Sequence, residues 1–184
     1  PVLDAEDYAD DDSASSSDDG DSVATDGTVF RREPAAHMPR FDLDTLRPFE
    51  VLHCDNKDLP CDVRDGYKTL FVLIDIKTQR KFVKPLHRKA HNSEAWIEIL
   101  TETGAHKLPY LCTVFSDGCG SMAPVRQLCH KMGIGHTYIP PHTQSLNEAE
   151  KVVDRVLAAA RTSMMATNAP LSEFADCCVM VAYV

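Results

Sequence analysis

From Pro48 onward, short runs of β-branched and apolar residues alternate with stretches whose apolar positions recur every three or four residues. Phe49-Glu50-Val51-Leu52-His53-Cys54-Asp55 predicts a first strand that closes on a carboxylate. A charged loop from Asn56 to Asp65 follows. Gly66 then leads into a second strand, Tyr67 to Asp75, and Lys81-Phe82-Val83-Lys84 predicts a third, ended by Pro85. Asn92-Ser93 is placed to cap a helix running to about Thr103, with Ala95, Trp96, Ile99 and Leu100 toward a sheet and Gly104 as its stop. Leu111 to Ser116 predicts a fourth strand, with Asp117 presented in the tight turn at its tip. Ala123 to Met132 predicts a helix stopped by Gly133, and His136 to Ile139 a fifth, short strand. A Pro140-Pro141 loop leads to a long helix ending near Thr167, and Pro170 opens another.

The order β-β-β-α-β-α-β-α-α predicts a mixed α/β sandwich, with a three-stranded meander at one side and crossover strands at the other. In such a sheet the ends of neighbouring strands 1 and 4 bring Asp55 and Asp117 side by side. The long helix carries Val153, Val156, Leu157, Ala160 and Met164 on one face. Glu150 lies one turn ahead of Val153 on that face and is expected to aim inward, whereas Glu148 points elsewhere. Three converging carboxylates without a thiolate or imidazole form a hard oxygen site, suited to Mg²⁺ or Mn²⁺ rather than zinc. Two such ions about 3.5–4 Å apart can activate an attacking oxygen and stabilise the leaving oxygen of a phosphodiester, with no nucleophilic Ser or Cys needed.

Charge changes the picture only after it is divided. A formal net charge of −9 taken whole disfavours a polyanionic partner, but residues 1–30 hold ten Asp or Glu and no Lys or Arg. Without them, 18 acidic residues face 19 basic ones, and nucleic acid is no longer disfavoured. Residues 1–30 are rich in Asp, Ser and Gly and are expected to be a disordered acidic tail, with 31–47 a poorly ordered lead-in. Seven irregularly spaced cysteines and no signal peptide fit a reducing interior, and no apolar stretch reaches membrane-spanning length. The chain begins at Pro1 and stops at Val184 inside an apolar run, as expected of a fragment of a longer polypeptide.

The ordered set of Phe49-Glu50-Val51-Leu52-His53-Cys54-Asp55, the strand ending in Asp75, Ser116-Asp117-Gly118, Met132-Gly133-Ile134 and the Pro-His-Thr-Gln…Asn…Glu run over residues 141–150 resembles the catalytic core of retroviral-type integrases. The nearest form is that of copia-type long-terminal-repeat retrotransposons. The resemblance covers roughly residues 48–184, leaving 1–47 as linker and lead-in. It implies an RNase H-like fold, a mixed five-stranded sheet flanked by helices. It also implies an Asp55, Asp117, Glu150 triad that binds two Mg²⁺ (or Mn²⁺) ions and serves as both catalytic and metal-ligating set. The implied activity is 3′-end processing and DNA strand transfer, and the implied partners are element ends, target DNA and further copies of the chain, in a nucleus or virus-like particle. No membrane or small-molecule cofactor is implied. His142 and Gln144 in the loop, and Lys151 and Arg155 on one face of the long helix, are the expected DNA contacts. Two features depart from the family pattern: Gly118-Cys119 follow Asp117 where the family has Asn-Gly, and the 32 residues between Asp117 and Glu150 are a shorter spacing than the family's.

Two alternatives use the same fold. One is a catalytically inactive remnant acting only as a nucleic-acid or protein binding module; the other is an RNase H-type nuclease. Other chemistry-bearing residues read as structural. Asp75, near Lys77, Arg80 and Lys81, is expected in a surface ion pair, and His87 and His91 in solvent-facing positions. Cys119, Cys129, His130 and His136 fit no zinc template, and Cys129 with Val125 and Met132 reads as core. Cys177 and Cys178 read as buried small hydrophobes.

Overall fold

The computed structural model describes residues 41–60, 63–110, 113–118, 120–139 and 147–183. They lie in one compact unit, Ala36–Val184. Its elements are β1 (Val51–Asp58), β2 (Thr69–Asp75), β3 (Lys81–Leu86), α1 (Asn92–Thr103), β4 (Thr113–Asp117), α2 (Ala123–Lys131), β5 (Gly135–Ile139), α3 (Glu148–Thr167) and α4 (Phe174–Ala182). The five strands form one mixed sheet in the order β3-β2-β1-β4-β5. The first three pair antiparallel; β1–β4 and β4–β5 pair parallel. This is the mixed five-stranded α/β sandwich expected from the order of elements.

Side-chain alternation divides each strand between two helical layers. On one face, Val51, Leu70, Val72, Ile74 and Phe115 pack with the α3 residues Val153, Val156, Leu157, Ala160 and Met164 and with Phe174 and Cys178 of α4. On the other, Leu52, Cys54, Phe71, Leu73 and Val114 pack against Trp96, Ile99 and Leu100 of α1 and Val125 and Cys129 of α2. Strand β2 is buried along its whole length, which explains its unbroken run Leu70-Phe71-Val72-Leu73-Ile74. The edge of the folded unit reaches further toward the N-terminus than Pro48, because the Phe41 ring meets Phe115 edge-on at 5.6 Å.

Helix ends follow local chemistry. Gly104 (φ 71°) closes α1 in the left-handed conformation, and Gly133 (φ 72°) follows α2 in the same way. Asn147 caps α3 by accepting the Ala149 amide. The expected cap of α1 is different: His91 holds the cap position without a side-chain bond. Asn92 is instead fully buried and donates across the fold to the Ser121 carbonyl at 3.0 Å.

Boundaries at β1, β3 and α2 also differ from expectation. Strand β1 runs on to Asp58, because β2 offers it partners as far as Thr69. Strand β3 passes through Pro85 to Leu86; as an edge strand it tolerates an imide whose missing N–H faces away from β2. Met132 lies beyond the end of α2 and is 41% exposed, so it leaves the Val125–Cys129 core stripe. None of the helices among the described residues is long and apolar enough to cross a membrane.

Candidate active site

The parallel register of β1 and β4 pairs Leu52 with Val114 and His53 with Phe115. Continued two residues, it sets Asp55 level with Asp117, the last residue of β4. Residues two apart share a face of a strand. Asp55 therefore follows Val51 and His53 onto the α3 side of the sheet, and Asp117 follows Phe115 there. Glu150 occupies the first turn of α3, which packs on β1.

Asp55 is only 8% exposed. Burial pushes its carboxyl up to about 7, and the charges of Asp117 and Glu150 push the same way, against the Asn56 amide and Lys57. The Asn56 amide donates to Asp55 Oδ1 at 2.8 Å. The Asn56 side chain donates to Ser121 Oγ at 2.8 Å, tying the end of β1 to the turn after β4. Of the two glutamates at the start of α3, Glu150 bears electrostatically on Asp55, whereas Glu148 accepts Lys151 Nζ at 2.7 Å. Among the described residues no three His, Cys, Asp or Glu side chains are gathered tightly enough to hold a metal by themselves. The donor set nonetheless suits a hard divalent cation: three carboxylates from three elements, one of them buried and under the charge of the other two.

The remaining expected contacts are distributed less simply. Lys151 is half-exposed and engaged with Glu148. Arg155, one turn on and exposed, lines a cleft of about 110 Å³ with Lys81 and Val181. His142 and Gln144 lie outside the described residues, as does Cys119. Cys129 is buried in the core beside Val125, and burial pushes its thiol up to about 12. His87 is exposed and stacks on Tyr67 at 4.7 Å.

Asp75 corrects an expectation. It is fully buried and serves the turn after β2 by accepting the Phe49, Lys77 and Thr78 amides and the Thr78 hydroxyl. A carboxylate saturated by backbone donors needs no lysine or arginine partner.

Two features went unread in the sequence. His53 is 2% exposed, takes the Glu148 amide on Nδ1 at 3.3 Å and stacks obliquely on Phe115. Burial pushes its imidazole down to about 4, against the pull of Glu148 and Asn147. Its position two residues before Asp55 was the available signal, since alternation puts both on one face. The Asn92–Ser121–Asn56 chain had no sequence signal, because its members are 29 and 65 residues apart.

No family model matches the chain. Its sequence is similar to the retrovirus-related Pol polyprotein from transposon RE2 of Arabidopsis thaliana, 24% identical over 115 residues that make up 61% of this chain and 8% of that polyprotein. The chain thus spans under a tenth of that relative's length. In structure it is similar to the HTLV-2 integrase catalytic core domain solved in complex with magnesium, with a TM-score of 0.53 and 13% identity over 74% of this chain and 86% of that one. It is also similar to a chain of the simian T-cell lymphotropic virus intasome solved in complex with the PP2A regulatory subunit B56 gamma, with a TM-score of 0.59 and 13% identity over 82% of this chain and 52% of that one. The chain has the RNase H-like fold of retroviral integrase catalytic cores and resembles, in sequence, the Pol polyprotein of a retrotransposon.

Proposed function

We propose that the chain is the catalytic core of a retroelement integrase, a polynucleotidyl transferase that trims element DNA ends and joins them to target DNA. That core begins by Phe41, ahead of the expected Pro48, and the residues before it are an acidic linker and lead-in. The observation that carries the reading is the pressure of Asp117 and Glu150 on the buried carboxyl of Asp55, at one end of an RNase H-like sheet. Asp55, Asp117 and Glu150 are the groups that would hold divalent cations, two Mg²⁺ or Mn²⁺ ions. Bound there, such ions would polarise the phosphodiester and stabilise its attacking and leaving oxygens.

The chain's own contributions are positional. Asp55 is held by the Asn56 amide, and the turn after Asp117 by the Asn56–Ser121 bond. Lys151 and Arg155 offer cations to the DNA backbone beside Glu150, with His142 and Gln144, which precede α3 in the sequence, as further contacts. The relatives were solved as a dimer with magnesium and within an intasome, which supports assembly of several copies on DNA.

The test is joining of a labelled element-end duplex to target DNA with Mg²⁺ or Mn²⁺, beside an Asp117→Asn control. Transfer that needs the cation and vanishes in the control is expected; transfer persisting in the control would overturn the reading. A second reading, a non-catalytic binding module, is favoured by the absence of a closed three-ligand cage among the described residues. DNA binding with no turnover in either cation would select it. Cleavage of an RNA–DNA hybrid without joining would select a nuclease.

A further inference from the structure

A helix leaves its first amides without partners inside the helix, so whatever accepts them decides where the first turn sits. In α3 the two leading amides are accepted from different places. Asn147 takes the Ala149 amide at 3.1 Å from within the local chain. His53 takes the Glu148 amide at 3.3 Å from the middle of β1. Because Nδ1 is the acceptor, the ring is the neutral tautomer with its proton on Nε2. The ring is fixed in turn, since it is buried and lies 5.2 Å from the Phe115 ring on β4. One imidazole thus touches all three elements that supply the acids: β1 with Asp55, β4 with Asp117 and α3 with Glu150.

We propose that His53 is a positioning residue whose bond to the Glu148 amide registers the first turn of α3 against β1 and β4, and so sets the spacing of Glu150 from Asp55 and Asp117. This rests on the reading of those three acids as the metal-holding set. It assigns His53 no proton transfer and no contact with metal or DNA. A residue that orients ligands from behind acts through their placement, and losing such support weakens metal binding by about ten- to a hundredfold.

The experiment compares His53→Leu, which keeps bulk and removes the acceptor, with His53→Asn, whose Oδ1 occupies the place of Nδ1. Three quantities are read on the whole chain: Mn²⁺ affinity by calorimetry, exchange of the Glu148 amide, and melting temperature without metal. In His53→Leu the Glu148 amide is expected to exchange roughly fivefold faster, the loss of one hydrogen bond, and Mn²⁺ to bind about tenfold more weakly. In His53→Asn both are expected to return most of the way to the parent values. Equal weakening in both variants would overturn the proposal, because only ring packing would then matter. An unchanged Glu148 amide in His53→Leu would overturn it as well. Glu150→Gln separates this from the underlying assignment. If it leaves Mn²⁺ affinity intact, Glu150 is not a ligand and that reading fails, whereas the exchange of the Glu148 amide still decides whether His53 sets the turn.

Discussion

Removing the charge of Asp55 should stabilise the metal-free fold. Its carboxyl is raised from 3.8 in the free side chain to about 7, first by burial and then by Asp117 and Glu150. The folded state therefore holds a proton that the unfolded chain releases, and stability falls as pH rises between those two values. The shift of about three units corresponds to about 4 kcal/mol, developed in full above pH 7 and absent below pH 4. Asp55 is 8% exposed, so solvent screening removes little of this. Asp55→Asn carries no charge and retains an oxygen for the Asn56 amide, 2.8 Å away in the parent. At pH 8 with a chelator it should be more stable than the parent by up to about 4 kcal/mol, on the order of 10 °C in melting temperature for a domain of this size. The two proteins should converge toward pH 4, and Mg²⁺ should raise the melting temperature of the parent far more than that of the variant. Urea titrations from pH 4 to 8 measure this directly. A gap that does not vary with pH, or an Asp55→Asn variant less stable than the parent at pH 8, would refute the account of an acid held against its charge.

Glu150→Gln should abolish strand transfer, whereas Glu148→Gln should keep most of it and lose only the exposed pair with Lys151, worth under about 1 kcal/mol; transfer assays on both decide which glutamate serves. Lys151→Ala should lower DNA affinity and reduce the slope of log affinity against log salt by about one, read by fluorescence anisotropy across salt concentrations. Asp75→Ala strands the Phe49, Lys77 and Thr78 amides and should cost about 3 kcal/mol in urea titration, while a stable fraction retains transfer. Such retention would mark Asp75 as structural, in contrast to Asp55 and Asp117.

The elements that could be read from the sequence were those whose signal is local. The stripe Val153, Val156, Leu157, Ala160 and Met164 is buried as its spacing implies, and Gly104 and Gly133 end their helices. That Asp55 and Asp117 fall on one face of the sheet was legible because strand order and side-chain alternation dictate it, and Glu150 bears on Asp55 from the first turn of α3. What escaped depends on partners distant in sequence. Asn92 has the composition of a cap, yet its amide is drawn 29 residues away to the Ser121 carbonyl. Asp75 stands among lysines and an arginine, yet turn geometry supplies backbone donors first. The extension of β1 to Asp58 follows from the length of β2, not from its own residues.

Pro85 has a consequence for assembly. Its ring sits on the free side of β3, where another chain seeking to add a strand would need a donor. Lys81 and Lys84 stand on the same strand, Lys84 clamped between Glu98 and Glu102. That margin is closed to edge-to-edge growth, so any second copy meeting the chain there must do so through helices or loops, and crowding copies together does not by itself seed a continuous intermolecular ribbon from that side.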